Sequence, residues 1–214
     1  MLNQIHVELI AITPDSEKVI EKAGRTCYKS VPTNRLNGRR RFIRNIVQKG
    51  HHSVLEHGYA TFRVTGASRS FTHQLVRHRL CAFSQQSQRY VDEKKFAFVE
   101  PQSIANNSQA HDLFQKFMVE AKNAYSQLQA MDIKNEDARF ILPNAVQSEI
   151  VLSANFREFR HIFSVRCDKH AQWEIRNVAL QMLRILKEEA PSVFADFVID
   201  EATGTAYTTF LTQI

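Results

Sequence analysis

Glycine is scarce in this chain, and its scarcity limits how a nucleotide can be bound. Only six of the 214 residues are glycine, and none are arranged as Gly-x-Gly. The Rossmann dinucleotide fingerprint and the P-loop both need glycine, because their backbone approaches phosphate closely. The sequence therefore excludes both. If the chain binds a dinucleotide, we expect side chains to hold its phosphates.

Cysteine and long apolar runs are scarce as well. Cys27, Cys81 and Cys167 lie at unrelated spacings and form no Cys-x-x-Cys pair, so neither a disulfide framework nor a zinc ribbon is supported. The N-terminal residues lack the basic and long apolar regions of a signal peptide. No apolar run approaches the length of a membrane span. We expect a cytoplasmic protein in a reducing setting, without membrane contact.

Positive charge and phenylalanine are abundant. The net charge is +6 and the pI is about 9.3, which favours anionic partners such as nucleotides, nucleic acid or acidic surfaces. Fifteen phenylalanines can supply much of a core. The length suits one domain, residues 1–214, and the patterns predict a mixed, helix-rich domain.

Apolar periodicity predicts the secondary structure. Alternation predicts strands at 4–13, 59–65 and 149–154 and a short strand around 96–99 within a loop. Helical spacing predicts helices at 15–24, 36–49, 69–78, 111–130, 155–166 and 170–189. Ser70 and Asp168 are predicted as N-caps, and Trp173 as core. The buried side of helix 111–130 is predicted to carry Leu113, Phe117, Ala121, Ala124 and Leu128. The tail from 197 to 214 carries no usable signal.

The stretch from 77 to 90, RHRLCAFSQQSQRY, concentrates hydrogen-bonding groups. It holds three arginines, one histidine, two serines and three glutamines without a carboxylate. Such a set suits a phosphorylated, planar ligand. On the predicted helix 69–78, His73 and Gln74 would share a face with Arg77. The alternative is a solvated helix end, where cations suit the helix dipole.

The stretch from 49 to 57, KGHHSVLEH, invites a metal interpretation through His51, His52, Glu56 and His57. The spacing argues against it, because it matches neither HExxH nor HxxEH. A polar turn with hydrogen-bonded histidines is the alternative. Arg39, Arg40, Arg41 and Arg44 on the preceding helix favour a solvated face, with contacts to phosphates as the functional alternative.

Four blocks together resemble one family. RHR, seven residues and then Ser87 resembles the RHR-x7-S signature of the flavin-dependent thymidylate synthases. The residues at 51–57 resemble the family's H-x-S/T-x-x-EH stretch, those at 139–143 its ARxxLP segment, and those at 155–175, with N-x-R-x-x-x-H and HAQWEI, its second signature region. The blocks are 51–57, 74–90, 139–143 and 155–175, and the resemblance covers roughly residues 1–190.

The resemblance implies a fold and an activity. The fold would be α+β, a curved, mostly antiparallel sheet flanked by helices, of the thymidylate synthase-complementing-protein type. The assembly would be a homotetramer with FAD at subunit junctions. The enzyme would make dTMP from dUMP, with 5,10-methylenetetrahydrofolate as one-carbon donor and non-covalent FAD, reduced by NADPH, as hydride source. No nucleic acid, membrane or metal is implied.

The resemblance also implies site residues. Contacts to dUMP would come from Gln74, Arg77, Gln85, Gln86, Ser87, Gln88, Arg89, Arg139 and Arg166. Contacts to FAD would come from Ser53, Arg77, His78, Arg79, Gln85, Asn155, Arg157 and His161, partly from neighbouring subunits. His51 would lie near the reacting rings. Arg166 is the predicted main catalytic residue, because a guanidinium can stabilise negative charge on the pyrimidine but cannot act as a base.

Two nucleophiles and two other functions are alternatives. Ser87 could attack dUMP with His78 as base, although a ligand-binding hydroxyl explains it better. Cys81 lies among cationic residues that would lower its pKa, but the resemblance assigns it to packing. A nucleic-acid-binding protein could use Arg39–Arg44 and the Arg77 region. A metal-dependent hydrolase would use the 51–57 block.

Overall fold

The computed structural model describes residues 5–32 and 37–210 of the chain. The predicted start of the first strand at Gln4 and of the second helix at Leu36 lie outside these residues. The chain divides into two compact units. Within the described residues, the first unit comprises 5–6, 64–75 and 84–150, and the second comprises 7–32, 37–63, 76–83 and 151–210.

The fold is α+β, an antiparallel sheet flanked by helices. The four-stranded sheet has the order β1-β2-β4-β3, and β5 and β6 form an antiparallel hairpin. The strands are β1 (His6–Ile12), β2 (Tyr59–Ser68), β3 (Ala82–Gln85), β4 (Gln147–Asn155), β5 (Phe197–Asp200) and β6 (Thr205–Thr208). The helices are α1 (Ser16–Tyr28), α2 (Gly38–Gln48), α3 (Arg69–Leu75), α4 (Gln102–Ala105), α5 (Ser108–Ala130), α6 (Asn135–Ala138), α7 (Phe156–Arg166) and α8 (Trp173–Glu189), and 3₁₀ turns lie at His52–His57 and Arg139–Ile141. Among the described residues, no helix combines the length and the apolar character that a bilayer crossing needs.

The first unit packs around α5, and the predicted buried side of this helix is largely wrong. Leu113 is 71% exposed and Phe117 is 53% exposed. The buried positions are instead Met118, Ala121 and Tyr125. Apolar residues lie on two neighbouring faces of α5, so its periodicity does not identify the face that packs. Ala124 is also exposed, and Leu128 is half-buried.

Helix α3 differs from its prediction at both ends. Ser68 rather than Ser70 caps the start, because the Ser68 Oγ accepts a hydrogen bond from the Phe71 N–H at 3.1 Å. The Ser70 N–H instead donates to the carbonyl of Asn144 at 3.0 Å. The helix ends at Leu75, so the predicted helical face joining His73, Gln74 and Arg77 is wrong. Downstream, β3 and α4 lie outside the predicted strands and helices. The strand predicted around 96–99 is reduced to one bridge between Phe98 and Val146.

The second unit is built on the aromatic face of α7. Phe156, Phe159 and Phe163 are fully buried, as their spacing predicts. Phe163 lies edge-on to Phe194 and Phe197, with ring centroids 5.7 Å and 6.0 Å apart, a geometry that aromatic pairs favour. The tail that carried no sequence signal therefore completes this core, because β5 begins at Phe197.

Two further boundaries differ from the prediction. Helix α1 continues past Gly24 to Tyr28, since Gly24 serves close packing rather than termination: a Cβ there would lie 2.9 Å from Ile46 Cδ1. Helix α8 is capped by Gln172, whose Oε1 accepts from the Glu174 and Ile175 N–H groups. Asp168 instead accepts from the His170 N–H at 2.8 Å. Trp173 is 40% exposed, so its prediction as a core residue is wrong.

Candidate functional site

The Arg77–His78–Arg79 segment lies in the second unit and alternates in exposure. Arg77 and Arg79 are exposed, whereas His78 is buried. The segment turns sharply, since the Cys81 N–H donates to the carbonyl of His78 at 3.1 Å. The two guanidinium groups are thus displayed to solvent, and the imidazole between them points into the unit.

The buried imidazole of His78 contacts Arg166, at the end of α7. The Nε–H of Arg166 donates to His78 Nε2 at 3.0 Å. Nε2 is therefore the acceptor nitrogen, and the ring proton lies on Nδ1, 3.5 Å from Glu158 Oε1. Burial, followed by the charges of Arg166 and His161, lowers the pKa of His78 to about 4. His78 is neutral at neutral pH.

Helix α7 presents its remaining site residues to solvent. Asn155 caps the helix by accepting from the Glu158 N–H at 2.9 Å. Arg157 and His161 are exposed, and the His161 ring centroid lies 5.8 Å from that of His78. Arg157 Nη1 donates to Glu56 Oε1 at 2.6 Å. This ion pair joins the 51–57 block to the 155–175 block.

The 51–57 block forms the 3₁₀ turn His52–His57. His51 and Ser53 are exposed. The ring Nε2 of His52 lies 3.1 Å from the carbonyl of Val47, so this nitrogen donates rather than offering a lone pair. Burial lowers the pKa of His52. Within the ranges that the structure describes, no group of three or more His, Cys, Asp or Glu side chains could hold a metal ion, so the structure offers the metal interpretation no support.

The glutamines of the motif lie in the first unit, and hydrogen bonds hold them. Gln85 Nε2 donates to Thr72 Oγ1 at 2.9 Å and to Ser148 Oγ at 3.1 Å. Gln86 Nε2 donates to Glu93 Oε1 at 3.1 Å. Gln74 and Gln85 are half-buried, and Gln88 is buried. The orientation of the Gln85 amide is thus set by two hydroxyl groups before any ligand binds.

Ser87 begins a turn. Its Oγ accepts from the Arg89 N–H at 3.2 Å, and its carbonyl accepts from the N–H groups of Tyr90 and Val91. The base that would activate Ser87 as a nucleophile is His78, whose Nε2 already accepts from Arg166 and whose pKa is about 4. The chemistry of both residues therefore favours a binding role for the Ser87 hydroxyl.

Two arginines that are far apart in sequence meet around Glu136. Arg89 Nε forms an ion pair with the Glu136 carboxylate at 2.5 Å. Arg139 Nε donates to the Glu136 carbonyl at 3.1 Å. Burial and then the charge of Arg139 lower the pKa of Arg69, so a third guanidinium lies nearby. The first unit thus gathers cations suited to a phosphate.

The expectation that neighbouring cations lower the pKa of Cys81 is wrong. Burial, followed by the carboxyl group of Glu158, raises the pKa of Cys81 to about 12. A thiolate is therefore not available at neutral pH. This agrees with the assignment of Cys81 to packing.

Several residues around the site were not predicted. Glu158 lies beside His78, and Glu136 brings Arg89 and Arg139 together. The Asn155-x-x-Glu158 spacing is a capping-box signal, and the Asn155 cap forms as that signal predicts. Nothing in the pattern, however, connects Glu158 to His78. No local signal marks Thr72 or Ser148, whose partner Gln85 is distant in sequence, or the pairing of Glu136 with the distant Arg89.

Comparison with known proteins supports the family resemblance. The family model described as thymidylate synthase complementing protein matches residues 8–192. The flavin-dependent thymidylate synthases of Geobacter sulfurreducens, Nitratidesulfovibrio vulgaris and Corynebacterium diphtheriae are 41%, 42% and 44% identical to the chain. These alignments cover 89%, 88% and 86% of the chain and 85%, 85% and 79% of the relatives. The resemblance inferred from the motifs is confirmed.

Proposed function

The chain belongs to the thymidylate synthase complementing protein family, and on that premise we propose that it converts dUMP to dTMP with a bound flavin. The observation that carries the proposal is the pairing of signature residues that are distant in sequence. Arg157 pairs with Glu56 and Arg166 with His78 in the second unit. Arg89 and Arg139 meet at Glu136 in the first.

We assign the flavin, as non-covalent FAD, chiefly to the second unit. The assigned residues there are Ser53, Arg77, His78, Arg79, Asn155, Arg157 and His161. The donor chemistry fits the cofactor, because exposed guanidinium and imidazole groups can hold a pyrophosphate where no glycine-rich loop exists. When bound, the flavin supplies the hydride of the reaction, with NADPH as its reductant and methylenetetrahydrofolate as the one-carbon donor.

We assign dUMP chiefly to the first unit. The assigned residues there are Gln74, Gln85, Gln86, Ser87, Gln88, Arg89 and Arg139, and the set also includes Arg77 and Arg166 of the second unit. The guanidinium groups near Glu136 suit the phosphate, since an arginine can hold phosphate oxygens through two parallel hydrogen bonds. The amide groups suit the hydrogen-bonding edge of uracil. Gln85 is assigned to both dUMP and FAD.

Arg166 is the proposed catalytic residue, and His78 is its positioning residue. The guanidinium stays charged although burial lowers its pKa. It can therefore stabilise the negative charge that develops on the N3–C4–O4 edge of uracil. Neutral His78 accepts from Arg166 Nε and orients it. A protonated His78 would lose that acceptor and repel the guanidinium. His51, which is exposed, is proposed to lie near the reacting rings.

Replacing Arg139 with alanine should raise the KM for dUMP by about 10- to 100-fold, because a hydrogen bond to a charged group contributes about 1.5–3 kcal/mol. The kcat should change less, since the phosphate does not react. Arg139→Lys should recover the binding only in part, because lysine lacks the planar fork. Lys134→Ala, at an exposed cation in the same segment, should leave the KM unchanged. Steady-state kinetics with varied dUMP measure this, and an unaltered KM in Arg139→Ala would remove Arg139 from the phosphate site.

The proposed function is tested under anaerobic conditions. The purified protein, supplied with FAD, NADPH, methylenetetrahydrofolate and dUMP, should form dTMP, and omission of any one substrate should stop it. A nucleic-acid-binding protein would instead bind RNA or DNA with a steep dependence on salt, and would be colourless. Absence of dTMP together with such binding would replace the proposal.

A homotetramer is proposed for the assembly. Leu113, Phe117 and Phe140 of the first unit are 71%, 53% and 83% exposed, and exposed apolar side chains of this size support burial against a further copy. We also propose that the sheet is curved, that residues 1–214 form a single functional domain and that the protein is cytoplasmic.

A further inference from the structure

Helix α2 of the second unit borders a cleft of about 610 Å³. The cleft is lined by Asn37, Arg40, Arg41, Arg44, Asn45, Gln48 and Phe210. Its volume lies in the range of small-molecule pockets. None of these residues belongs to the sets assigned above to FAD or dUMP, so the cleft is a separate feature of the second unit.

Among the residues that the structure describes, no carboxylate balances the charge of this cleft. Arg25 and Arg39, which lie nearby in sequence, both pair with Glu21. Arg40, Arg41 and Arg44 are exposed, and within residues 5–32 and 37–210 their side chains have no hydrogen bond or ion pair. The described lining also contains no carboxylate. Like charges this close on one helix repel each other, and an anionic ligand would relieve that repulsion.

The side chains that line the cleft indicate which class of anionic ligand it can bind. Guanidinium groups on neighbouring positions of α2 suit a ligand with more than one phosphate group. The amides of Asn37, Asn45 and Gln48 can pair with the edge of adenine, and the Phe210 ring offers a face on which a base can stack. A carboxylate chain would use the cations and the amides but would leave the aromatic ring without a stacking partner. The set therefore favours a phosphorylated adenine nucleotide.

The end of α2 is bonded to the turn that carries Ser53. The His51 N–H donates to the carbonyl of Ile46 at 3.0 Å, and His52 Nε2 donates to that of Val47 at 3.1 Å. Ser53 follows in the same turn and is assigned to FAD. A ligand in the cleft therefore contacts the helix that supports a turn assigned to FAD. A molecule that reduces the flavin has to bind close to the FAD site, so this position suits the reductant.

We propose that this cleft binds the adenosine 2′,5′-bisphosphate half of NADPH, an inference that rests on the proposed function for the identity of the reductant. Arg40, Arg41 and Arg44 hold the phosphate groups, and Phe210 contacts the adenine. The cleft thereby selects NADPH over NADH, because only NADPH carries the 2′-phosphate.

Isothermal titration calorimetry of the flavin-loaded protein tests the binding directly. Adenosine 2′,5′-bisphosphate should bind at least about tenfold more tightly than 5′-AMP, as expected for an added charge-assisted contact. Arg44→Ala should reduce this preference, and Arg40→Ala/Arg41→Ala/Arg44→Ala should abolish it. Arg39→Ala removes one positive charge from α2 outside the cleft. This variant should retain the preference for the bisphosphate over 5′-AMP. These arginines are exposed, so the buried face at Ile43, Ile46 and Val47 stays intact.

Flavin reduction separates this inference from the proposed function. Compared with the wild type, the triple variant should have its flavin reduced at least about tenfold less efficiently by NADPH at low concentration. Its reduction by NADH should fall less, because NADH has the 5′-phosphate but not the 2′-phosphate. With dithionite as reductant it should still form dTMP, which keeps the proposed function independent. Equal binding of the bisphosphate by wild type and triple variant would overturn the inference. So would a cleft that binds an oligoglutamate peptide in place of the bisphosphate.

Discussion

Replacing Arg166 with alanine should lower the kcat for dTMP formation by about 10²–10³-fold, the usual loss when one charge-stabilising donor is removed from an active site. The reason is that Arg166 is the cation proposed to meet the charge developing on uracil. FAD should remain bound, because Ser53, Arg157 and His161 are unchanged. The measurement is single-turnover formation of dTMP together with the flavin spectrum of the purified variant.

The controls distinguish charge from position. Lys169→Ala removes an exposed cation shortly after Arg166 in the chain and should retain full activity. His78→Phe keeps the cation but removes the acceptor of its Nε–H, so it should lower kcat while the bulk of the ring is preserved. Full activity in Arg166→Ala would eliminate the catalytic assignment. Loss of flavin in that variant would make Arg166 a cofactor ligand instead.

Replacing Arg160 with alanine should lower the free energy of unfolding by about 3–5 kcal/mol, because it leaves a buried carboxylate without its cation. Arg160 and Asp196 are 6% and 1% exposed, and two hydrogen bonds of 2.7 Å join them. Arg160 also donates to the carbonyl of Val193 at 2.7 Å. The pair holds α7, which carries Arg157, His161 and Arg166, against the segment before β5. Chemical denaturation measures the loss.

The matched control removes both charges. Arg160→Met with Asp196→Leu should recover most of the lost stability, because no buried charge is left unpaired. Burial raises the pKa of Asp196, but the hydrogen bonds from Arg160 and Thr208 outweigh it and the pKa is lowered. Its stabilising contribution is therefore complete above the unfolded-state pKa of about 3.9 and is lost as the pH falls through the lower folded value. The double variant should lack this acid dependence. A double variant as unstable as Arg160→Ala would contradict the account.

The sequence predicted a helix correctly where its apolar residues define a single face. Phe156, Phe159 and Phe163 share a single apolar stripe, and the helix predicted at 155–166 matches α7 except that Asn155 is its cap and not its first residue. Helix α5 has two apolar stripes, so the choice between Phe117 and Met118 depended on tertiary packing. That information is not local.

Helix caps and ends were harder to predict for a similar reason. Ser68 and Ser70 are both suitable caps, but the helix begins at Arg69 and the Ser68 Oγ accepts from the Phe71 N–H, which leaves Ser70 inside the first turn. Gln172 replaced the expected Asp168 because Asp168 is engaged by His170. These outcomes depend on which competing hydrogen bond forms, which propensity alone does not determine.

For the site, the motifs identified the residues but not their partners. The string from 77 to 90 carries His78 and Ser87, yet the structure places His78 in the second unit and Ser87 in the first. Burial, followed by the charges of Arg166 and His161, lowers the pKa of His78 and keeps it neutral, and the hydrogen bond from Arg166 occupies the nitrogen that would act as a base. The low pKa of His78 follows from burial and from a cation that is distant in sequence. Neither the burial nor the contact with this cation can be inferred from the residues next to His78 in the sequence.

The central claim is that guanidinium and imidazole side chains, without a glycine-rich backbone, hold FAD. Titration of FAD into the apoprotein, followed by flavin fluorescence, tests it directly. Arg157→Ala should raise the Kd by at least about tenfold, the effect of losing one charge-assisted contact. Glu56→Gln, which breaks the exposed ion pair but keeps Arg157, should leave the Kd unchanged. A wild-type protein that binds no flavin at excess FAD, or an Arg157→Ala variant with unaltered Kd, would contradict the account.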